Sequence, residues 1–214
     1  MFGKLFGGKD REPQAALPVV RNVTVGRTVI LDPLTWRRFG AETRFALDRD
    51  TLEITAQGVI GLNEGAFVHR FYTDDEIMFQ AVSDDAAGEM ANDFTIFLPW
   101  ASEYPNSGDG SRFDWAQRLR QRTFQPPELP EYRRFWFGDD AAEADPVTFW
   151  EDVYYDRAAT TPDKRLFQTT MLFSRDLPGD GRELMLALTL EPEGGEVTHE
   201  MMIGLPLSAG EFKA

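Results

Sequence analysis

No cysteine occurs in the 214 residues. That absence removes a disulfide framework, a thiolate zinc site, an iron–sulfur cluster and a cysteine nucleophile. Two histidines are too few for an imidazole metal site, and no metal or other cofactor is expected. Long apolar runs are missing as well. The best, 184–188 and 201–207, fall far short of the roughly 18 to 20 residues that cross a bilayer as a helix, so no integral membrane segment is expected. The stretch Met1-Phe2-Gly3-Lys4-Leu5-Phe6-Gly7-Gly8-Lys9 lacks the apolar core of a signal peptide, and Phe2 in place of glycine excludes N-myristoylation. A cytoplasmic location follows as the expectation, and the sequon Asn22-Val23-Thr24 has no meaning without export. Basic charge is also scarce. Lys and Arg number 22 against 36 Asp and Glu, a formal net charge of -14, which repels nucleic acid and anionic lipid. The deficit is uneven: residues 1–44 carry 8 basic and 4 acidic groups, residues 45–214 carry 14 basic and 32 acidic ones. A nucleic-acid partner is therefore not expected; the acidic body reads first as a solubility feature, with a basic partner protein or a cationic ligand as the alternative.

What the chain does have is material for a core, with 42% hydrophobic residues that include 17 Phe, 5 Trp and 5 Tyr. Residues 1–18 lack periodicity and end in Pro13-Gln14-Ala15-Ala16-Leu17-Pro18. They read as a flexible leader in front of a single domain at 19–214, although Phe2, Leu5 and Phe6 beside Lys4, Lys9 and Arg11 would also suit a short peripheral tether. From Thr51 the pattern alternates with period two, which a strand covered on one face requires. Leu52, Ile54 and Ala56 share a face, a turn at 61–65 follows, and strands are predicted at 66–72, 76–82 and 93–98, the last stopped by Pro99. A second antiparallel meander is predicted at 165–205, with Leu184, Leu186, Leu188 and Leu190 as an inward row. Such a row needs a covering layer: closure of the sheet, a second sheet, or helix. Between the meanders the best helix signal starts at Ser111, where Ser111 and Asp114 resemble a capping box. The fold class predicted is α+β and β-rich, two antiparallel meanders at about 51–99 and 165–205 joined by an irregular, partly helical insert.

Catalytic motifs fail on spacing. His199-Glu200 would need a second histidine where Ile203 stands, Gly108-Asp109-Gly110 lacks its third glycine at Phe113, and Asp176 with Asp180 lacks further calcium ligands at Pro178 and Ala187. No phosphate-cradling loop or nucleophile elbow occurs, and no catalytic residue is assigned. His69 and His199 sit on apolar strand faces and read as core residues, with a general-base or surface role as the alternatives. Asp74 and Asp75, just past Arg70 and Tyr72, are turn carboxylates that could instead hold a cation. The segment 132–156 interleaves aromatics, among them Trp136 and Trp150, with acids that include Asp139, Glu151 and Asp152. Ring faces and carboxylates together suit an organic cation such as a polyamine, or an exposed partner-binding patch, or simply packing over the sheet. The candidate binding set is Arg70, Tyr72, Asp74, Asp75, Trp136, Trp150, Glu151 and Asp152.

Thr51-Leu52-Glu53-Ile54-Thr55-Ala56-Gln57-Gly58, the block Arg70-Phe71-Tyr72-Thr73-Asp74-Asp75, Tyr132-Arg133-Arg134-Phe135-Trp136, Glu151-Asp152-Val153 and Glu183-Leu184-Met185-Leu186 stand in an order that resembles the YjfK-like family of bacterial proteins of unknown function. The resemblance implies a cytoplasmic protein associated with phage-shock-type membrane-stress proteins and with ATP-grasp enzymes similar to polyamine-peptide ligases. It implies no catalytic residue. Three functions stay open: a non-enzymatic interaction module, a polyamine-like cation binder, and a carboxylate-dependent hydrolase or transferase.

Overall fold

The computed structural model describes residues 17–62, 65–105, 110–138 and 140–214. Residues 1–16 of the expected leader, positions 63 and 64 of the expected turn, and Asp139 of the aromatic–acidic segment lie outside the described residues. Leu17 is buried, and the Pro18 carbonyl accepts a hydrogen bond of 2.9 Å from Gln57 Nε2.

The chain starts with β1 (Thr28–Leu31), α1 (Leu34–Arg37), a 3-10 turn (Gly40–Glu42) and β2 (Thr51–Glu53). Then come β3 (Ala56–Gly61), β4 (Phe67–Tyr72), β5 (Met78–Ser83) and β6 (Asp93–Glu103), followed by α2 (Ser111–Arg120), β7 (Thr123–Phe124) and β8 (Tyr132–Arg134). The last elements are β9 (Val147–Tyr154), β10 (Lys164–Leu177), β11 (Gly181–Pro192), β12 (Thr198–Leu207) and β13 (Phe212–Lys213). β1 lies between β13 and β2 in a small three-stranded sheet.

The main sheet is a closed antiparallel barrel of eight strands, in the order β3-β4-β5-β6-β12-β11-β10-β9 and back to β3. This overturns the expected α+β arrangement of two meanders joined by a helical insert. Two pairings close the ring. β9, which lies inside the supposed insert, pairs with β3 through Gly58↔Val153 and with β10 through Gln168↔Phe149. On the other side β12 pairs with β6 through Ile203↔Leu98. A closed ring leaves no unpaired edge, so each strand satisfies its backbone groups on both sides.

Two local expectations change as well. Pro99 does not stop its strand: β6 runs on to Glu103, and the register shifts opposite Met201 and Met202 to absorb the irregularity. The alternation that begins at Thr51 is not one strand. Leu52 belongs to the small sheet, Ile54 ends the crossing, and from Ala56 the chain enters the barrel, so Leu52 and Ile54 join the outer core while Ala56 faces the interior.

Both faces of the barrel wall are apolar, which is why it needs filling within and a cover without. Met78, Phe97, Leu172, Leu184, Leu186, Leu188 and Met202 cluster inside. Phe71, Phe79, Phe94, Ile96, Met185 and Ile203 point outward, into one cluster with Val20, Leu31, Trp36, Phe45 and Phe212. The small sheet covers the wall through Phe212, whose ring lies 4.9 Å from Phe79 and 5.0 Å from Phe94. α2 and β7 cover another sector through Trp115, Phe124 and Phe173. Glu183, fully buried on the outer face, ties these layers together. It accepts hydrogen bonds from Tyr132 Oη at 2.6 Å, Arg175 Nε at 2.7 Å, Thr43 Oγ1 at 2.6 Å and the Arg44 amide at 2.5 Å. Burial would raise its pKa, but these donors hold the carboxyl below its ordinary value.

Candidate functional site

The interior cluster plugs the middle of the barrel and leaves a cavity toward each end. Met78, Leu186, Leu188 and Met202 face the first cavity, of about 340 Å³, and Phe97, Leu172 and Leu184 face the second, of about 470 Å³. Eight-stranded barrels are wide enough to hold one small ligand, and both volumes exceed the ~150 Å³ that suffices for a benzene-sized guest.

The first cavity is built from strand alternation. The inward row of β11 continues past the plug through Leu188 to Leu190, β10 supplies Leu166 and Gln168, β9 supplies Val153, β3 supplies Ala56, and β4 supplies Arg70 and Tyr72. Beneath it lies a buried polar network. Arg70 Nη1 donates to Glu151 Oε2 at 3.1 Å and to Gln168 Oε1 at 2.8 Å, and Arg70 Nε donates to Gln80 Oε1 at 3.0 Å. Tyr72 Oη donates to Glu151 Oε1 at 2.6 Å, and Gln168 Nε2 donates to Glu151 Oε2. The Arg70 and Glu151 side chains are 3% and 0% exposed, so each charge depends on the other for its solvation. Burial works against the charge on Arg70, yet the Glu151 carboxylate and Tyr72 hold its guanidinium above its ordinary pKa. Burial and the same carboxylate push the Tyr72 phenol well up, against the pull of Arg70. Tyr72 therefore stays a hydrogen-bond donor across the neutral range.

The mouth of this cavity is acidic. Asp74 and Glu76 from the β4–β5 turn and Glu200 from β12 line it, with Tyr155 just after β9 and Lys164 at the start of β10. Burial and the charge of Glu76 raise the Glu200 pKa, against the Thr198 hydroxyl, which donates to Glu200 Oε1 at 3.2 Å, and against Lys164.

The eight residues singled out in the sequence divide among five places. Arg70, Tyr72 and Glu151 form the polar network, and Asp74 stands at the acidic mouth. Asp75 turns away to Arg49 Nη2 at 2.6 Å and the Thr73 hydroxyl at 2.5 Å; despite some burial, these donors lower its pKa. Trp136 lines the second cavity. Trp150 lies on the outer wall, 42% exposed, with its ring under Arg165, which also pairs with Asp152 at 2.8 Å. Alternation along β9 causes this split: Phe149, Glu151 and Val153 point in, Trp150 and Asp152 point out. The candidate binding set left out Glu76, next to Asp74 and Asp75, and Tyr155, within the aromatic–acidic segment, and sequence reasoning missed Lys164 and Glu200 as lining residues. Glu200 was detectable as the acid that shares a strand face with Met202 and Gly204.

His69 and His199 are both buried on the outer face, apart from the cavities. His69 lies against Gly88, and His199 stacks on Trp115 at 4.8 Å and meets Thr189 Oγ1 at 3.2 Å. Among the described residues no group of three or more His, Asp or Glu is placed to hold a metal ion, and no helix is long and apolar enough to cross a membrane.

Taken together, the fold and its interior define a closed antiparallel β-barrel protein with a side-chain plug and a cavity at either end. The chain belongs to the family described as protein of unknown function (DUF2491), whose model matches residues 1–213. No curated protein and no solved structure matches it.

Proposed function

We propose that the protein is a non-enzymatic binding module that takes an organic cation, an aliphatic amine of polyamine-like character, into the first barrel cavity. The lining of that cavity carries the reading. Its walls are the methylene-rich row of Leu166, Leu186, Leu188 and Leu190, and its mouth sets three carboxylates against one lysine. An ammonium group gains from Asp74, Glu76 and Glu200, while an aliphatic stem leaves water along the leucines at about 0.8 kcal/mol per buried CH₂. The Arg70–Glu151 pair is internally neutral, so the field at the mouth is set by its rim. Glu151 is engaged by Arg70, Tyr72 and Gln168, which supports binding over a proton-transfer role. Residues 19–214 act as one unit, supported by a core cluster that runs from Val20 to Phe212. A bacterial cytoplasmic setting near membrane-stress proteins is supported by the resemblance to YjfK-like proteins and by the acidic charge. The partner-protein reading has less support, because Trp136 and Trp150 do not share a surface.

The test is calorimetric titration with spermidine and with n-octylamine at about 0.15 M salt, where diffuse attraction to an acidic surface is largely screened. Saturable binding of at least one amine is expected, weakened about tenfold or more by Glu200→Gln or Asp74→Asn and unchanged by Glu53→Gln on the exposed face of β2. Flat titrations with both amines would retire the proposal.

A further inference from the structure

The second cavity differs in chemistry from the first, and its lining independently describes a ligand. Its floor and walls are Val82, Phe97, Leu172 and Leu184, with Trp136 and Phe135 at the side. Two guanidiniums stand at the rim, each laid over an aromatic ring: Arg38 at 4.7 Å from the centre of Phe39 and Arg182 at 4.9 Å from the centre of Phe135. Stacking fixes the plane of a guanidinium and leaves its edge donors free to grip a carboxylate with two parallel bonds. Arg38 is ion-paired with Glu211 at 3.8 Å, too far for a hydrogen bond, so its edge donors are not taken by that carboxylate, and Arg182 has no carboxylate within ion-pair distance among the described residues. Two carboxylates share the same rim, Asp93 at the start of β6 and Asp180 in the β10–β11 turn. A simple anion would meet the arginines and be repelled by the aspartates, and a simple cation the reverse. A molecule that carries both charges on one end and an apolar body on the other satisfies all four groups at once.

We propose that the second mouth of the barrel binds a free α-amino acid with a large apolar or aromatic side chain. Its carboxylate meets Arg182 and Arg38, its ammonium meets Asp93 and Asp180, and its side chain enters beside Trp136 above Leu172 and Leu184. The arrangement stands whether or not an amine occupies the opposite cavity.

Calorimetric titration of the full chain with L-phenylalanine and L-tryptophan at about 0.15 M salt tests it, with phenethylamine and 3-phenylpropionate as compounds that each lack one charge. At least one amino acid should bind saturably, and each one-charge analogue of phenylalanine should bind about tenfold or more weakly. Arg182→Gln, and Asp93→Asn combined with Asp180→Asn, should each reduce amino-acid affinity about tenfold or more while the melting point stays near that of the parent, because these side chains are exposed. Glu200→Gln at the other mouth should leave amino-acid binding alone. Absence of binding, equal binding of amino acid and analogues, or binding sensitive to Glu200→Gln but not to Arg182→Gln overturns the proposal. Dependence on Arg182 without dependence on the aspartates overturns the amino-acid assignment in favour of a plain carboxylate ligand.

Discussion

Arg70 and Glu151 meet across an intervening strand, and the residue that permits it has no side chain. β3 separates β4 from β9, and Gly58 on β3 occupies the place where any Cβ would run into the Glu151 carboxylate. Glycine weakens a strand interior, so its presence here marks a close approach. Gly58→Ala should push Glu151 off its donors and lower stability by about 3 kcal/mol in urea unfolding. Arg70→Met leaves Glu151 buried without its cation and should cost about 3–5 kcal/mol, whereas Arg70→Met combined with Glu151→Leu should recover much of that loss, since a buried ion pair is often replaceable by apolar side chains of similar volume. A double variant no more stable than Arg70→Met would show that the network stabilises the barrel beyond mutual neutralisation.

Among the elements, β9 explains best what sequence reasoning could and could not reach. Its eight residues mix aromatic and acidic side chains so evenly that they read as one surface, yet only alternate positions can share a face. Val147, Phe149 and Val153 make an apolar face with Glu151 as its one acid, and an acid in that position needs a buried cation; Arg70, on a comparable face of β4, is that cation. The pairing was therefore partly legible. The pairing of β9 with β3 was not, because strand pairing between segments about 95 residues apart leaves no local mark in either, and the closure of the barrel depends on it. The strands themselves, β4, β5, β10, β11 and β12, carry alternation plain enough to be located from sequence. The loop after β8 is ordered by a device with no sequence signature at all. Arg134 is buried and donates to three carbonyls, Nε to Gly138 at 2.8 Å, Nη1 to Arg120 at 3.0 Å and Nη2 to Ala141 at 2.6 Å. Arg134→Lys keeps the charge but cannot span three acceptors that lie in different directions. It should cost about 2 kcal/mol and speed proteolytic nicking within 135–145, while distant loops keep their protection.

For the molecule as a whole, the buried titratable groups set the pH range in which the barrel holds together. Burial lowers the pKa of His69, against the influence of Asp85, and lowers that of His199 with help from Arg112 and Arg118, against Glu103. A folded state that resists protonation gains no proton when the unfolded chain does, at about pH 6.5, so stability is complete above that value and falls as pH drops below it. Glu183, Glu211 and Asp75, all held below their ordinary values, continue the loss through the carboxylate range with the same sign. Glu200 works the other way: its raised pKa contributes stability below the unfolded value and loses it as pH climbs through the folded one. Above the ordinary carboxylate range only the two imidazoles oppose it; the lowered carboxylates act at lower pH. At the alkaline end Tyr72 and Tyr132 are held protonated by burial and by Glu151 and Glu183, so stability is present up to about pH 10 and declines as the unfolded tyrosines ionise. The melting temperature should form a plateau between about pH 7 and 10 and fall on either side. Between pH 7 and 5, His199→Gln should give a shallower fall than the parent, because one proton uptake is removed from the unfolded state while the carboxylates titrate lower. In a Glu200→Gln background, where the opposing contribution is gone, a melting temperature that stays level or rises from pH 7 to 5 would mean that both imidazoles are protonated in the folded barrel, and that the outer layers of small sheet and α2 do not exclude water from the wall they cover.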